Sequence, residues 1–330
     1  MDETEARMTS AIMIESYGGP ETLQMHEVPV PATGSGDLRI RHTAIGVNYH
    51  DIYVRSGLYR RLHLPLIPGL EAAGIVEEVG QTAAGFAPGD RVAYLDTNYG
   101  AYAVQRVVPA SLALKLPDAI SNDLAATVLL KGLTAAILVL QVHPIQQGDI
   151  VLVHAAAGGV GRMLVQWTSH LGAHVIGTVG SPEKAVSAVA AGCRDVIQYN
   201  ETDFMARVMD LTKGRGVDVV YDAVGRDTFD GSLGSLAMRG HLVNYGQSSG
   251  PVEPFDISRL TAKSATITRP AYGHYVETRP ALENMAETLW RAIGEGILKV
   301  EPGTAFSLAE AAQAHDALER RVAGPLILKP

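Results

Sequence analysis

The most regular hydrophobic pattern in the chain begins at Ile150. Ile150 to His154 form a short apolar run with β-branched residues, which suits a buried strand of a parallel sheet. The run breaks into Ala155-Ala156-Ala157-Gly158-Gly159-Val160-Gly161. Val160, Leu164, Trp167 and Leu171 then recur at offsets of four, three and four, one apolar face at helical period. Gly172 stops that helix, and His174 to Val179 make a second apolar strand. Strand, glycine turn, helix and strand form the βαβ unit on which dinucleotide sites are built.

The alternation continues downstream. Helices are expected over Pro182–Ala191, Asp203–Leu211 and Thr228–Ala237, and strands over Val196–Tyr199, Val217–Asp222, His241–Tyr245 and Ala265–Thr268. Six strands alternating with helices predict a doubly wound parallel sheet. Beyond Pro280 the pattern gives a helix over Leu282–Gly294, a strand-like Ala305-Phe306, a helix over Leu308–Arg320 and a strand at Leu326–Leu328. Upstream, from Thr9 to about Pro117, the text is short strands: Ala11–Ile14, Asp37–His42, Gly74–Val79 and Asp90–Tyr94. Turns at Gly18-Gly19-Pro20, Gly34-Ser35-Gly36 and Ala87–Asp90 separate them, the pattern of a compact β-rich domain. Near Asp118 it changes to helix.

Composition narrows the class. At 330 residues the chain is long for one core, so two domains are expected. Apolar residues are 47% and charged residues 19%, the balance of an ordinary soluble α/β protein. A net charge of −8 without a basic tract argues against non-specific nucleic-acid binding. The single cysteine, Cys193, excludes an internal disulfide and a thiolate-rich zinc site. Residues 1–8 are expected to be a disordered leader; Met1 to Glu5 are acidic and resemble no signal peptide. The longest apolar stretch, Leu124 to Leu140, is interrupted by Lys131-Gly132. A charge there would cost ~2.5–3.5 kcal/mol at a bilayer centre, so a buried helix and a cytoplasmic protein outside the membrane are expected.

The glycine turn carries the candidate chemistry. Ala156-x-Gly158-x-x-Gly161 is the dinucleotide fingerprint with alanine in its first slot. Gly158 lets backbone approach a pyrophosphate and Gly161 lets the helix pack close to the strand. The helix N-terminus offers unpaired N–H groups and a partial positive charge to phosphates. A site for NAD would place Asp or Glu at the tip of the second strand to hold the ribose hydroxyls. Here the tip reads Gly180-Ser181-Pro182-Glu183-Lys184. Ser181 and Lys184 are candidates for a 2′-phosphate, and a charge-assisted hydrogen bond worth ~1.5–3 kcal/mol favours NADP by ~10–100-fold. Ser181-Pro182 equally reads as a helix cap and first helical residue. Glu183 would repel a phosphate if it turned inward.

Several motifs together reach beyond such patterns. These are Ala44 to Tyr59 (AIGVNYHDIYVRSGLY), Gly69-Leu70-Glu71-Ala72-Ala73-Gly74, Leu130-Lys131-Gly132-Leu133-Thr134, His154 to Gly161, Tyr221 to Thr228 (YDAVGRDT), and Thr268-Arg269-Pro270. With them the chain resembles the zinc-free quinone oxidoreductases of the medium-chain dehydrogenase/reductase superfamily, the group that includes ζ-crystallin. The resemblance implies an α/β fold, with a GroES-like β-rich catalytic domain (9–125) and a Rossmann domain (126–270). It also implies a C-terminal return to the catalytic domain (271–330), a homodimer, NADPH, and a cofactor cleft between domains. Zinc-bearing relatives place cysteine and histidine where this chain has Asn48 and Leu70, so no metal site is expected. Hydride acceptance then needs an electrophilic acceptor, a quinone or a conjugated enone.

The site residues follow from the same resemblance. Asn48, Asp51, Tyr53 and Tyr59 belong to a segment the family lays along nicotinamide and substrate, with Asn48 able to donate to a developing oxyanion. His50 stands where relatives tend to be apolar, and its role stays open, as does that of Arg162. Lys131 and Thr134 are placed near the diphosphate and nicotinamide. Gly158, Gly159, Val160 and Gly161 cradle the phosphates; Gly180, Ser181, Lys184 and Tyr199 form the adenosine-phosphate pocket. Val224, Gly246, Gln247 and Ser248 end strands at the carboxyl edge, where ligands sit in open α/β sheets. Arg269 and Arg321 (or its neighbour Arg320) match cofactor-side or interface arginines. If the acceptor were a CoA thioester, Arg55, Arg60 and Arg61 are the nearby basic cluster. A third reading, an NADPH-binding protein with a structural or RNA-associated role, is least supported by the acidic charge.

Overall fold

The computed structural model describes residues 7–60, 63–320 and 324–330. Two compact units emerge, Met1–Leu130 with Val300–Pro330, and Lys131–Lys299. The division differs from the expected boundaries. The helix Asn122–Ile137 runs through the first junction, and the helix Arg279–Gly294 belongs to the second unit. That helix buries Leu282, Met285, Ala286 and Leu289, and a β-carbon added at Gly132 would meet Leu289 at 2.4 Å. Only residues from Val300 onward rejoin the first unit. Of the expected leader, residues 1–6 lie outside the described residues and Met8 already opens a strand.

The second unit holds a six-stranded parallel sheet. Its spatial order is Asp195–Gln198, His174–Val179, Ile150–Val153, Val217–Asp222, Leu236–Asn244 and Thr266–Thr268. In sequence ranks this is 3-2-1-4-5-6, the doubly wound Rossmann order, with its switch point between Ile150–Val153 and Val217–Asp222. Leu152, Ile176, Ile197, Val220 and Leu242 are buried in one core, as strands covered on both faces require. The expected helix over Thr228–Ala237 is shorter, Phe229–Ser235, because the next strand already begins at Leu236. Left-handed Arg239, with φ at 63°, accompanies the register shift in that strand.

The first unit is built on an antiparallel sheet centred on Asp37–Val47. One side pairs with Glu71–Val79, then Arg91–Leu95 and Ala113–Lys115. Gln105–Pro109 also pairs with Asp37–Val47. Leu326–Lys329 adds antiparallel to the far end of that strand and carries Thr304–Ser307 beside it. Leu38, Ile40 and His42 point inward, while Arg39 and Arg41 pair with Glu78 and Glu77; this alternation fixes the register. Met8–Met13 and Gln24–Pro29 form a separate two-stranded pair. The segment Asn122–Val142 is long and apolar enough to cross a membrane, and 72% of its apolar window is buried within the protein. Core packing therefore accounts for its composition.

Candidate active site

The glycine turn lies where the pattern put it. Ile150–Val153 ends in His154, and the helix Gly159–His170 starts with Gly158 as N-cap in extended conformation. Gly158 and Gly159 are exposed and Gly161 is buried. A β-carbon on Gly161 would sit 2.2 Å from the Ala155 carbonyl oxygen, so only glycine allows the helix this close to the strand. Lys131, 8% exposed, lies along the turn, its Cδ 2.9 Å from the place of a Gly159 β-carbon. Thr134 follows one turn later on the same helix and is half-buried. Val160 is half-buried, and Arg162 is exposed in the first helical turn.

Gly180, Ser181, Lys184 and Tyr199, the residues expected around an adenosine phosphate, follow the next two strands. Tyr199 covers Gly180, its hydroxyl 2.5 Å from where a β-carbon would stand. The side-chain amide of Asn200, which sequence reading missed, donates to the Gly180 carbonyl at 2.9 Å. Ser181 caps the helix Pro182–Ala191, its hydroxyl oxygen accepting the Lys184 backbone N–H at 3.4 Å. A hydrogen bond from Ser181 holds the Glu183 carboxyl below its ordinary range. Structural cap and candidate phosphate ligand are thus the same residue, with an acid engaged on it.

Two further loops meet at the carboxyl edge. The Ser248 and Ser249 N–H groups donate to the carbonyls of Ala223 and Val224 at 3.1 and 2.9 Å. Gly246 leaves room for this approach, since its β-carbon would lie 2.6 Å from the Ala223 oxygen. Val224, Gly246, Gln247 and Ser248 are therefore adjacent and half-buried. Arg269 reaches this corner from the last strand and donates to the Gly246 carbonyl at 3.0 Å and to the Asn244 side chain. Its guanidinium braces the loop. Arg321 lies outside the described residues, and neighbouring Arg320 pairs with Asp316 at 3.0 Å.

In the first unit Asn48 precedes the short helix Tyr49–Arg55. Its side-chain amide donates to Glu71 Oε1 at 2.8 Å, and Glu71 Oε2 accepts the Leu130 N–H at 2.7 Å. Asn48 and Glu71 are buried, so the carboxylate is satisfied by fixed donors. Asp51 Oδ2 accepts the Asn48 N–H at 2.8 Å and the Tyr102 hydroxyl at 3.2 Å. Tyr53 and Tyr59 pack edge to face at 5.1 Å between ring centroids, and His50 meets Tyr59 at 5.0 Å. His50 Nε2 also lies 3.2 Å from the Tyr99 hydroxyl. Tyr99 is buried with φ at 63°, a strained conformation for a bulky residue.

Tyr102 and His315 were not among the expected site residues, and Arg55 was expected only in a basic cluster for a CoA thioester. Tyr102 Oη is 2.9 Å from His315 Nε2, and Arg55 Nη1 is 3.3 Å from His315 Nδ1. Burial drives the Tyr102 phenol well above its ordinary range, and the neighbouring Asp51 adds to this. Arg55, 2% exposed, forms an ion pair with Glu319 at 2.6 Å. It is interior and cannot serve in a basic entrance with Arg60; Arg61 lies outside the described residues. Cys193 is buried and its thiol is pushed up to about 12 by desolvation, which makes it filler rather than nucleophile. Among the described residues no group of three or more His, Cys, Asp or Glu side chains is placed to hold a metal ion.

Family models match both units: an alcohol dehydrogenase GroES-like domain over residues 34–118 and a zinc-binding dehydrogenase over residues 159–288. Fold and site together define a medium-chain dehydrogenase/reductase. The chain is 43% identical to a quinone oxidoreductase of Pseudomonas aeruginosa, over 98% of this chain and all of that one. It is 41% identical to a 2-haloacrylate reductase of a Burkholderia species, over 98% and 99% of the two chains. The crystal structure of Escherichia coli quinone oxidoreductase complexed with NADPH matches with a TM-score of 0.94 and 41% identity, over 97% of this chain and all of that one. The chain belongs to the quinone oxidoreductase family.

Proposed function

We propose that the protein is an NADPH-dependent quinone oxidoreductase working by hydride transfer without a metal. The observation that carries this reading is the carboxyl edge of the parallel sheet. There the close-packed turn Gly158–Gly161 opens a helix of 12 residues, and the next strand tip presents Ser181, Lys184 and Tyr199. The turn fits a dinucleotide diphosphate: a β-carbon at Gly161 would clash, and the exposed glycines leave helix N–H groups approachable. Gly158, Gly159, Val160 and Gly161 would hold the diphosphate, with Lys131 and Thr134 beside it. Ser181, Lys184 and Tyr199 would hold the adenosine phosphate. Val224, Gly246, Gln247 and Ser248 would line the nicotinamide end, with Arg269 bracing their loop. Bound there, NADPH supplies a hydride.

The acceptor is assigned to the Asn48–Tyr59 segment. Glu71 and Asp51 fix Asn48 from two directions, at 2.8 Å each. A preorganised amide of this kind stabilises negative charge developing on an acceptor oxygen. Tyr53 and Tyr59 offer flat apolar faces suited to a quinone ring. His50, with its Nε2 3.2 Å from the Tyr99 hydroxyl, is the imidazole of this segment and would pass a proton to the reduced product.

A second acceptor class, α,β-unsaturated carbonyls, is favoured by the 41% identity to a 2-haloacrylate reductase. NADPH oxidation measured in parallel with 1,4-benzoquinone, an enal and an enoyl-CoA decides between the two. The quinone reading expects the highest kcat/KM with benzoquinone, and a higher value for the enal overturns it. The assembly is proposed to be a homodimer, because Thr266–Thr268 ends the parallel sheet and an edge strand offers backbone groups to a second copy. A cytoplasmic setting agrees with a single buried thiol.

A further inference from the structure

Beneath the cofactor edge of the second unit lies a chain of four buried polar side chains. Thr178 is the penultimate residue of the second strand, His154 directly follows the first and Asp222 ends the fourth, while Ser232 comes from the helix Phe229–Ser235. Each is at most 1% exposed. His154 Nδ1 is 2.9 Å from Thr178 Oγ1, and His154 Nε2 is 2.9 Å from Ser232 Oγ. Ser232 Oγ is 3.1 Å from Asp222 Oδ2.

The proton positions follow from the chemistry of the groups. Asp222 as a carboxylate only accepts, so the single Ser232 hydroxyl proton points to it. Ser232 Oγ must then accept, which places a proton on His154 Nε2. A neutral imidazole has one bare nitrogen, so Nδ1 accepts the Thr178 hydroxyl proton. Burial lowers the His154 pKa, in keeping with the neutral ring. Every donor has an acceptor in one direction, from Thr178 to Asp222. Asp222 also accepts the Val224 and Gly225 N–H groups at 2.7 and 3.0 Å, as well as the Thr228 hydroxyl.

Apolar side chains would fill this volume without desolvating four polar groups. The polar set does something they cannot: it ties together three turns. Thr178 stands three residues before Ser181, and its carbonyl accepts the Ala156 N–H at 3.1 Å. His154 leads directly into the glycine turn. Asp222 shapes the turn that carries Val224.

We propose that Thr178, His154, Ser232 and Asp222 form a positioning relay that holds the diphosphate, adenosine-phosphate and nicotinamide turns in mutual register and thereby sets cofactor affinity. The proposal rests on the reading that the chain binds NADPH.

The test is fluorescence titration with NADPH and steady-state kinetics on the full chain and three variants, with melting temperatures alongside. Thr178→Val is nearly isosteric and removes one link. It should raise the NADPH Kd and KM roughly fivefold to tenfold, the worth of one hydrogen bond of ~1 kcal/mol, with a much smaller fall in kcat. His154→Phe should weaken binding further. His154→Gln, whose amide both donates and accepts, should recover part of the loss. NADPH Kd values equal to wild type in Thr178→Val and His154→Phe, with only Tm lowered, would reduce the relay to ordinary core structure. Failure of His154→Gln to improve on His154→Phe contradicts the hydrogen-bond account. A wild-type chain that binds no NADPH overturns the cofactor reading itself, and this proposal with it.

Discussion

The Tyr102 hydroxyl and His315 Nε2 lie 2.9 Å apart inside the first unit, joining residues separated by 213 positions. Arg55 donates to His315 Nδ1, so the ring proton is on Nε2 and points to Tyr102, whose own proton goes to Asp51. The C-terminal helix Ala311–Glu319 thus contributes to fixing Asp51, and through it the backbone of Asn48.

That arrangement makes stability pH-dependent. Desolvation, with Arg55 adding to it, lowers the His315 pKa from 6.5 to about 3. The unfolded chain takes up this proton below pH ~6.5 and the folded one does not, so stability is full above that pH and falls as pH drops toward 3. The slope is about 1.4 kcal/mol per pH unit, or ~2 kcal/mol between pH 6.5 and 5. Buried His42, lowered to about 4 mainly by desolvation, acts in the same direction. Urea unfolding at pH 7.5 and 5.0 should show the loss, and His315→Gln should show a smaller one. Equal losses in both proteins contradict the assignment.

The two outer glycines of the turn should respond unequally to substitution. A β-carbon on Gly161 meets backbone at 2.2 Å, whereas one on Gly158 comes no closer than 3.1 Å to the Ala155 oxygen. Gly161→Ala should cost ~1–3 kcal/mol of stability, as overpacking does, and weaken NADPH binding at least tenfold. Gly158→Ala should cost less, ~0.5–1 kcal/mol for alanine at the helix N-cap, and act chiefly on cofactor affinity. Thermal melts with NADPH titrations separate these outcomes.

Cofactor preference should reside at the second strand tip. Lys184→Ala should shrink the NADPH/NADH preference in kcat/KM by ~10–100-fold, the worth of one charge-assisted bond. Glu183→Gln should widen it by removing a charge that competes for the Ser181 hydroxyl. Ser181→Ala is the less informative variant, because it also removes a helix cap worth ~1 kcal/mol.

Asn48→Ala should lower kcat/KM for benzoquinone by ~10²–10³-fold, the cost of losing one oxyanion donor, and leave the NADPH Kd within threefold of wild type. A loss confined to NADPH affinity would move Asn48 from the acceptor to the cofactor. Stopped-flow hydride transfer together with NADPH titration checks both.

Much of the second unit was legible because its signals are local. Ile150–His154, the glycines and the Val160–Leu171 face carry strand, turn and helix in contiguous text, and the structure follows them. Gln24–Pro29 was not legible, since its half-exposed side chains show no apolar run. The Tyr49–Arg55 helix was hidden inside a motif read for its chemistry. The face of Arg279–Gly294 announces an amphipathic helix and says nothing about which core it covers. Site residues divide along the same line. Gly158, Gly161, Ser181 and Lys184 sit in one stretch and could be picked out by spacing. His154, Thr178, Asp222 and Ser232 are brought together only by the 2-1-4 strand order, and His315 reaches Asp51 only through the returning C-terminal segment. Arg269 stands at the expected corner, with its guanidinium on the Asn244 side chain and the Gly246 carbonyl.

The central claim is that the Gly158–Gly161 turn and the Ser181–Lys184 tip bind phosphorylated nicotinamide dinucleotide. Titration of the purified chain with NADPH and with NADH, followed by nucleotide fluorescence, tests it most directly. The account predicts saturable NADPH binding at least tenfold tighter than NADH, weakened in Gly161→Ala and levelled in Lys184→Ala. Equal affinity for the two nucleotides, or no saturable binding of either, contradicts it.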